Sequence, residues 1–279
     1  MSRSCFFMVY FRGMEHFSHD VKTAGLAAIK AGEVVLLKNF KQRKPGDYKF
    51  KKHSEIITRS DLLSDTAIKQ VLKKLTPDIG VISEEDKRRT PWGECNWILD
   101  PLDGTSNYAA HLPLWGISLA LACNKEVIFG LISLPIMHEC YMAIKGGGAW
   151  QIIGNEHKKI SVSKVKKIKD AFGLFCYGYL PEERIRGLKH VPKLSEKSRV
   201  TRRLGAAVFE AAWVASGRAE YSVLHGINSW DVAAGALLVR EAGGKVTTPQ
   251  GKEWKIGDRD IVFSAPGVTR ELLNIFKHG

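Results

Sequence analysis

The chain has 279 residues, 44% of them hydrophobic, enough for one large core or two joined lobes, which excludes disorder for most of its length. No apolar run approaches the roughly 18 residues of a membrane-spanning helix, since Trp115 to Cys123 and Val127 to Met137 are short and interrupted. The formal net charge of +13 draws phosphates, nucleic acids and anionic membranes without choosing among them.

In chain order, Met1 to Phe11 lacks the long apolar stretch and small-residue cleavage site of a secretory signal. Residues 1–13 are expected to be a loose tail or an upstream start. From Met14 to Phe40 apolar residues recur at Val21, Ala24, Ala28, Ala31 and Val35, the spacing of an amphipathic helix. The basic segment Lys41 to His53 follows, broken at Pro45-Gly46. In it Tyr48 and Phe50 alternate with Lys49 and Lys51, as in a β-arm with one charged face. A second helical pattern covers Leu62 to Leu75, with Ser60 or Asp61 as its N-cap.

Short β-like runs come next, at Gly80 to Ser83, Asn96 to Leu99, Trp115 to Ala122, Val127 to Leu134 and Cys140 to Ala143, separated by turns, which predicts an antiparallel sheet. The glycines at 146–148 lack the Lys-Ser/Thr of a nucleotide-binding loop and read as a hairpin turn. After Asp170 strands and helices alternate: Phe172 to Tyr177, Pro181 to Leu188, Gly205 to Ser216, Ala219 to Leu224, Ser229 to Glu241 and Lys245 to Thr248. The C-terminal half is therefore expected to be α/β. The five cysteines are scattered and odd in number, without a Cys-x-x-Cys pair, which argues against a disulfide framework and a zinc site and fits a reducing cytoplasm.

The chemistry concentrates in Trp97-Ile98-Leu99-Asp100-Pro101-Leu102-Asp103-Gly104-Thr105-Ser106-Asn107. An apolar strand is expected to end there in a rigid turn, because Pro101 fixes φ and cannot donate to a ladder, so Asp100 and Asp103 project into one volume. Beyond them Gly104, Thr105 and Ser106 resemble a helix start, whose N–H groups cradle phosphate. Three further acidic chain ends follow apolar segments: Ser83-Glu84-Glu85, Ser229-Trp230-Asp231 and Ser60-Asp61. Each alone is an ordinary turn, surface pair or helix cap. Together they form a pocket that cannot stay ionised without a cation.

Ser-Glu-Glu, Asp-Pro-Leu-Asp-Gly-Thr-Ser-Asn and Trp-Asp-Val-Ala-Ala-Gly, in this order, resemble the inositol monophosphatase family, as do Gly-Gly-Gly-Ala-Trp at Gly146 to Trp150 and Glu-Ala-Gly-Gly at Glu241 to Gly244. The resemblance implies a layered αβαβα sandwich of the inositol monophosphatase and fructose-1,6-bisphosphatase type, with an N-terminal α+β lobe at 14–152 and a C-terminal α/β lobe at 153–279. It also implies two or three magnesium ions, manganese being a substitute, held by Glu84, Asp100, the Leu102 carbonyl, Asp103 and Asp231. By the same resemblance Asp61 and Thr105 orient the attacking water, and the Lys41 to His53 connection is a flap at the site, Lys51 and Lys52 reaching towards substrate. Hard oxygen ligands independently favour these metals. The implied protein is a cytoplasmic homodimer that hydrolyses a small phosphate monoester, inositol phosphate first. Fructose 1,6-bisphosphate and histidinol phosphate remain open, because Leu224 stands where the animal enzymes have a Glu that contacts inositol; a shifted loop would bring His225 or Asn228 there instead. Thr105-Ser106-Asn107 departs from the Thr-Lys-Glu of nucleotidase relatives. A nucleic-acid-binding protein would explain the charge but leaves the acidic pocket without a purpose, and no nucleic-acid motif is present.

Overall fold

Helix α1 (Met14–Gln42) opens the described part of the chain. The computed structural model describes residues 14–42, 48–51, 55–86, 91–154 and 156–277, with side chains from residue 20 onward. The expected tail at 1–13 lies outside them. Val21, Ala24, Ala28, Ile29 and Leu36 form the buried stripe of α1, so its far end turns in on Leu36 rather than on the expected Val35. Gly32 lets α1 approach α2 (Arg59–Leu75), since a Cβ there would lie 2.7 Å from Ile68 Cδ1. The N-cap of α2 is Thr58, not Ser60 or Asp61. A Thr-x-x-Asp capping box places the cap two residues before Ser60 and three before Asp61, and turns Asp61 back onto Thr58.

Between the two helices β1 (Lys49–Phe50) pairs antiparallel with β2 (Ile56–Ile57), in line with the expected β-arm. Seven further strands form the first sheet: β3 (Gly80–Ser83), β4 (Cys95–Asp103), β5 (Gly116–Cys123), β6 (Glu126–Leu134), β7 (Glu139–Ile144), β8 (Gly148–Ile153) and β9 (Glu156–Lys159). They lie in sequence order. Only the β3–β4 pair is parallel. A short helix α3 (Thr105–Ala109) leaves the end of β4.

The remaining elements are β10 (Phe172–Tyr177), α4 (Pro181–Lys189), α5 (Val191–Lys197), β11 (Val200–Arg202), α6 (Ala207–Ala215), β12 (Tyr221–His225), α7 (Ser229–Glu241), β13 (Lys245–Thr247), β14 (Asp260–Ser264) and α8 (Pro266–Lys277). Their strands form a mixed sheet in the order β11-β10-β12-β14-β13.

Strand alternation produces the layers. One face of the first sheet, with Trp97, Leu99, Leu119 and Leu131, packs on α1 and α2. Its other face, with Ile98, Ala120 and Ile132, packs on α6 and α7, which also cover Leu224, Ile261 and Phe263 of the second sheet. The far side of that sheet, with Val223 and Val262, is closed by Leu194 of α5 and Val268 and Leu272 of α8. The result is the expected αβαβα sandwich. The first sheet extends to residue 159, beyond residue 152, and one hydrophobic cluster reaches from Ile98 to Phe263.

Cys95 and Cys123 form a disulfide, which corrects the expectation drawn from the scattered, odd-numbered cysteines against disulfide bonding. They are 28 residues apart in sequence, but the antiparallel β4–β5 register sets them directly opposite, with Cα atoms 4.0 Å apart. Spacing along the chain gives no hint of such a cross-strand pair. Among the described residues Cys140 and Cys176 are free thiols.

Candidate active site

Strand β4 carries two of the four expected carboxylates. Asp100 pairs with Ser118 and Asp103 with Gly116 across a register shift in the β4–β5 ladder. Pro101 thus occupies an irregularity, and the strand continues to Asp103 instead of stopping at Leu99 as expected. Three contacts fix the bend: Ser64 Oγ donates to Pro101 O (2.9 Å), Leu102 N donates to Asp100 Oδ1 (3.0 Å), and Val208 N donates to Asp103 Oδ2 (2.6 Å). Val208 lies in the first turn of α6, so a helix amide without a partner inside the helix and the positive helix end both favour the Asp103 carboxylate. The exit from β4 requires glycine. Gly104 has φ +84, and a Cβ would fall 2.7 Å from Leu114 O.

Glu84 follows β3 and is tied to β4 by its backbone N–H, which donates to Leu99 O at 3.0 Å. Asp231 is the third residue of α7 and accepts from Asn228 N at 2.6 Å, as a capping box requires. One oxygen each from Glu84, Asp100 and Asp231 lie within 4.8 Å of one another. Asp103 stands outside this triplet, held by α6 amides, but lines the same cavity, as does Leu102. The cavity measures about 660 Å³.

Asp61 is buried and accepts from Thr58 N (2.8 Å) and Thr58 Oγ1 (2.6 Å) on one oxygen and from Thr105 Oγ1 (2.9 Å) on the other. The Thr105 hydroxyl is also 3.0 Å from Leu102 O. Its single hydrogen serves one acceptor at a time, and its lone pairs can accept from a third group. Gly104, Thr105 and Ser106 all line the cavity, with Ser106 Oγ 3.3 Å from Tyr179 Oη.

Electrostatics test whether these residues fit a metal. Burial, then the charge of Glu84, holds Asp100 and Asp231 well above the usual carboxylate range. Burial also pushes Asp103 up to about 7, against the amides that favour its charged form. Acids so placed either keep protons or take a cation. An all-oxygen, acidic donor set suits magnesium or manganese rather than a softer ion, so the residues present fit the implied metals.

A cation already stands beside the cluster. Lys51 Nζ lies 2.9 Å from both Glu84 Oε1 and Glu85 Oε1. The flap lysine was expected to face substrate, whereas it faces the carboxylates; Lys52 lies outside the described residues. Of the other contacts considered from sequence, Leu224 is fully buried in the cavity wall. The His225 ring points to Asp260, its Nδ1 3.4 Å from Oδ1, and Asn228 Oδ1 accepts from Arg259. Gly146 and Gly147 lie in the β7–β8 turn, which Gly148 closes as the first residue of β8, and Glu241 holds it, its carboxylate accepting from Gly146 N and Gly148 N, as a structural reading requires. Sequence reasoning missed Tyr177, Tyr179, Arg203 and Arg259 in the wall. The one available signal was Arg202-Arg203 just before Gly205, a positive-φ glycine that leads into α6.

Comparisons with known proteins agree with this geometry. The model of the inositol monophosphatase family matches residues 18–276. An inositol monophosphatase of Dictyostelium discoideum is 30% identical over 85% of this chain and 88% of its own length. A fructose-1,6-bisphosphatase/inositol-1-monophosphatase of Thermotoga maritima is 32% identical over 79% and 82%. The crystal structure of the extragenic suppressor protein SuhB of Bartonella henselae superposes with a TM-score of 0.84 at 27% identity, covering 93% of this chain and 99% of that one. With the family model spanning nearly the whole chain, this protein belongs to the inositol monophosphatase family of phosphoric monoester hydrolases.

Proposed function

We propose that the cavity hydrolyses a small phosphorylated polyol with magnesium held by Glu84, Asp100, the Leu102 carbonyl, Asp103 and Asp231. The observation that carries this reading is the convergence of Glu84, Asp100 and Asp231 within 4.8 Å in a buried site. When bound, magnesium supplies positive charge to the phosphoryl oxygens and acidity to water, and manganese would serve in its place.

The chain's own residues do the rest. Asp61 accepts a hydrogen bond from the Thr105 hydroxyl and so fixes its rotor, leaving a Thr105 lone pair to accept a hydrogen bond from the attacking water. The water oxygen is thereby aimed at phosphorus. As the new P–O bond forms, the ester P–O bond breaks, one proton of the attacking water ends on the leaving oxygen through solvent, and the alcohol leaves into the open part of the cavity. Gly104 and Ser106 bind the phosphoryl oxygens beside Thr105.

Inositol monophosphate is the first substrate reading. Fructose 1,6-bisphosphate is the second, favoured by the buried Leu224, which cannot accept a hydrogen bond from an inositol hydroxyl. Phosphate release from inositol 1-phosphate, fructose 1,6-bisphosphate, histidinol phosphate and a nucleotide monophosphate, each with saturating magnesium, tests this. Highest kcat/KM on a polyol phosphate is expected. A nucleotide preferred over both polyol phosphates would overturn it.

A further inference from the structure

Two guanidinium groups line the cavity, and they differ in what they already hold. Arg259 is committed within the fold: its Nη2 lies 2.6 Å from Glu183 Oε1 and 3.2 Å from Gly226 O, and its Nη1 donates to Asn228 Oδ1. Glu183 is buried, so that positive charge is already neutralised. Arg203 is exposed and makes no ion pair with a carboxylate among the described residues, acting on the buried Glu210 only through space. Its guanidinium carbon sits 4.1 Å from the centre of the Tyr177 ring. Stacking on a ring fixes the guanidinium plane while leaving its N–H edge open, which suits a planar carboxylate or a phosphate.

The surroundings of Arg203 suit a charged ligand better than a neutral polyol. It lies two residues before the glycine that leads into α6, the helix whose first turn holds Asp103, so it shares a wall with the carboxylate site. Leu224, in the same cavity, offers no acceptor for hydroxyls. Lys51, the other cation near the carboxylates, is already paired with Glu84 and Glu85. An unpaired, pre-oriented guanidinium in a cavity of about 660 Å³ has room for a ligand group beyond the phosphoryl group that reacts.

The geometry points to Arg203, its guanidinium over the Tyr177 ring, as the residue that recognises an anionic group on the leaving half of the substrate, a second phosphate or a carboxylate. This rests on the phosphatase reading above and makes Arg203 a determinant of specificity within it. Tyr177 is a positioning residue that acts through Arg203.

The test compares kcat/KM of the full chain, with magnesium, on fructose 1,6-bisphosphate, on 6-phosphogluconate and on inositol 1-phosphate as the neutral reference. In Arg203→Gln the ratio of anionic to neutral substrate should fall roughly 10- to 100-fold, the range for a lost hydrogen bond to a charged group, mainly through KM. Arg203→Lys should retain part of the ratio as a point charge, and Tyr177→Phe should keep it because the ring face remains. A fall confined to the bisphosphate assigns a phosphate, and one confined to the phosphogluconate a carboxylate; either supports the inference. The ratio is independent of how much variant folds. An unchanged ratio on both anionic probes overturns it. If the wild type releases no phosphate from any probe, the phosphatase reading fails instead, and calorimetric titration with fructose 1,6-bisphosphate still decides on Arg203: equal affinity in wild type and Arg203→Gln overturns the inference.

Discussion

Replacing Asp100 by Asn separates metal binding from folding, because it removes a charge at nearly constant volume. Two like charges 4.8 Å apart, the outer spacing within the carboxylate triplet, repel by about 3.5 kcal/mol at an effective dielectric of 20. Proton uptake by Asp100 and the presence of Lys51 beside Glu84 reduce what is realised to about 1–2 kcal/mol at neutral pH. For a chain of this size that is a rise of roughly 2–8 °C in the Tm of the metal-free protein. With magnesium the order reverses, since the variant lacks a central ligand: the magnesium-induced rise in Tm should shrink and turnover should fall by about 10³-fold or more. Differential scanning fluorimetry with EDTA and with magnesium, beside a phosphate-release assay, reads all three. A variant with wild-type turnover, or a metal-free Tm well below wild type, would refute the electrostatic account.

Lys51→Met leaves Glu84 and Glu85 without their cation. Because the pair is part-exposed, the expected loss without metal is about 1–2 kcal/mol, with magnesium binding tightened roughly 5- to 30-fold by calorimetry. Thr105→Val removes the hydroxyl that meets Asp61 and should lower kcat about 100-fold with a smaller effect on KM, whereas Thr105→Ser should recover most of the rate. Burial raises Glu210 to about 8 and Asp103 to about 7, both above the ordinary carboxylate range. Stability from groups raised in this way is complete at pH 4 and is lost as pH climbs through 7 and 8, so the metal-free Tm should fall across that window. Glu210→Gln should flatten the upper part of that fall, and an unchanged slope would show that Glu210 does not titrate there.

Much of the fold was legible because period carries it. The apolar stripe of α1, the Gly80–Ser83 strand and the Ser229–Glu241 helix follow from local spacing alone. Illegible features depend on which segments become neighbours. β9 is a short edge strand without apolar character, fully exposed and defined by pairing rather than by composition. The Cys95–Cys123 bond depends on register. Three of the acidic chain ends were readable as a site because each follows an apolar segment, and folding brings Glu84, Asp100 and Asp231 together. Asp61 was misread as an N-cap because the capping threonine lies three residues earlier, outside the apparent start of the helix. The role of Lys51 could not be inferred from a run of lysines, where only a partner distinguishes one side chain from the next.

If the buried carboxylates around Glu84, Asp100 and Asp231 hold magnesium for phosphate release, turnover must follow the metal. Phosphate release from inositol 1-phosphate by EDTA-stripped wild-type protein, titrated with magnesium, tests it most directly. No turnover is expected in EDTA, with a saturable rise on adding magnesium, substitution by manganese, and no recovery in Asp231→Asn. Turnover that persists in EDTA, or full magnesium-dependent activity in Asp231→Asn, would contradict it.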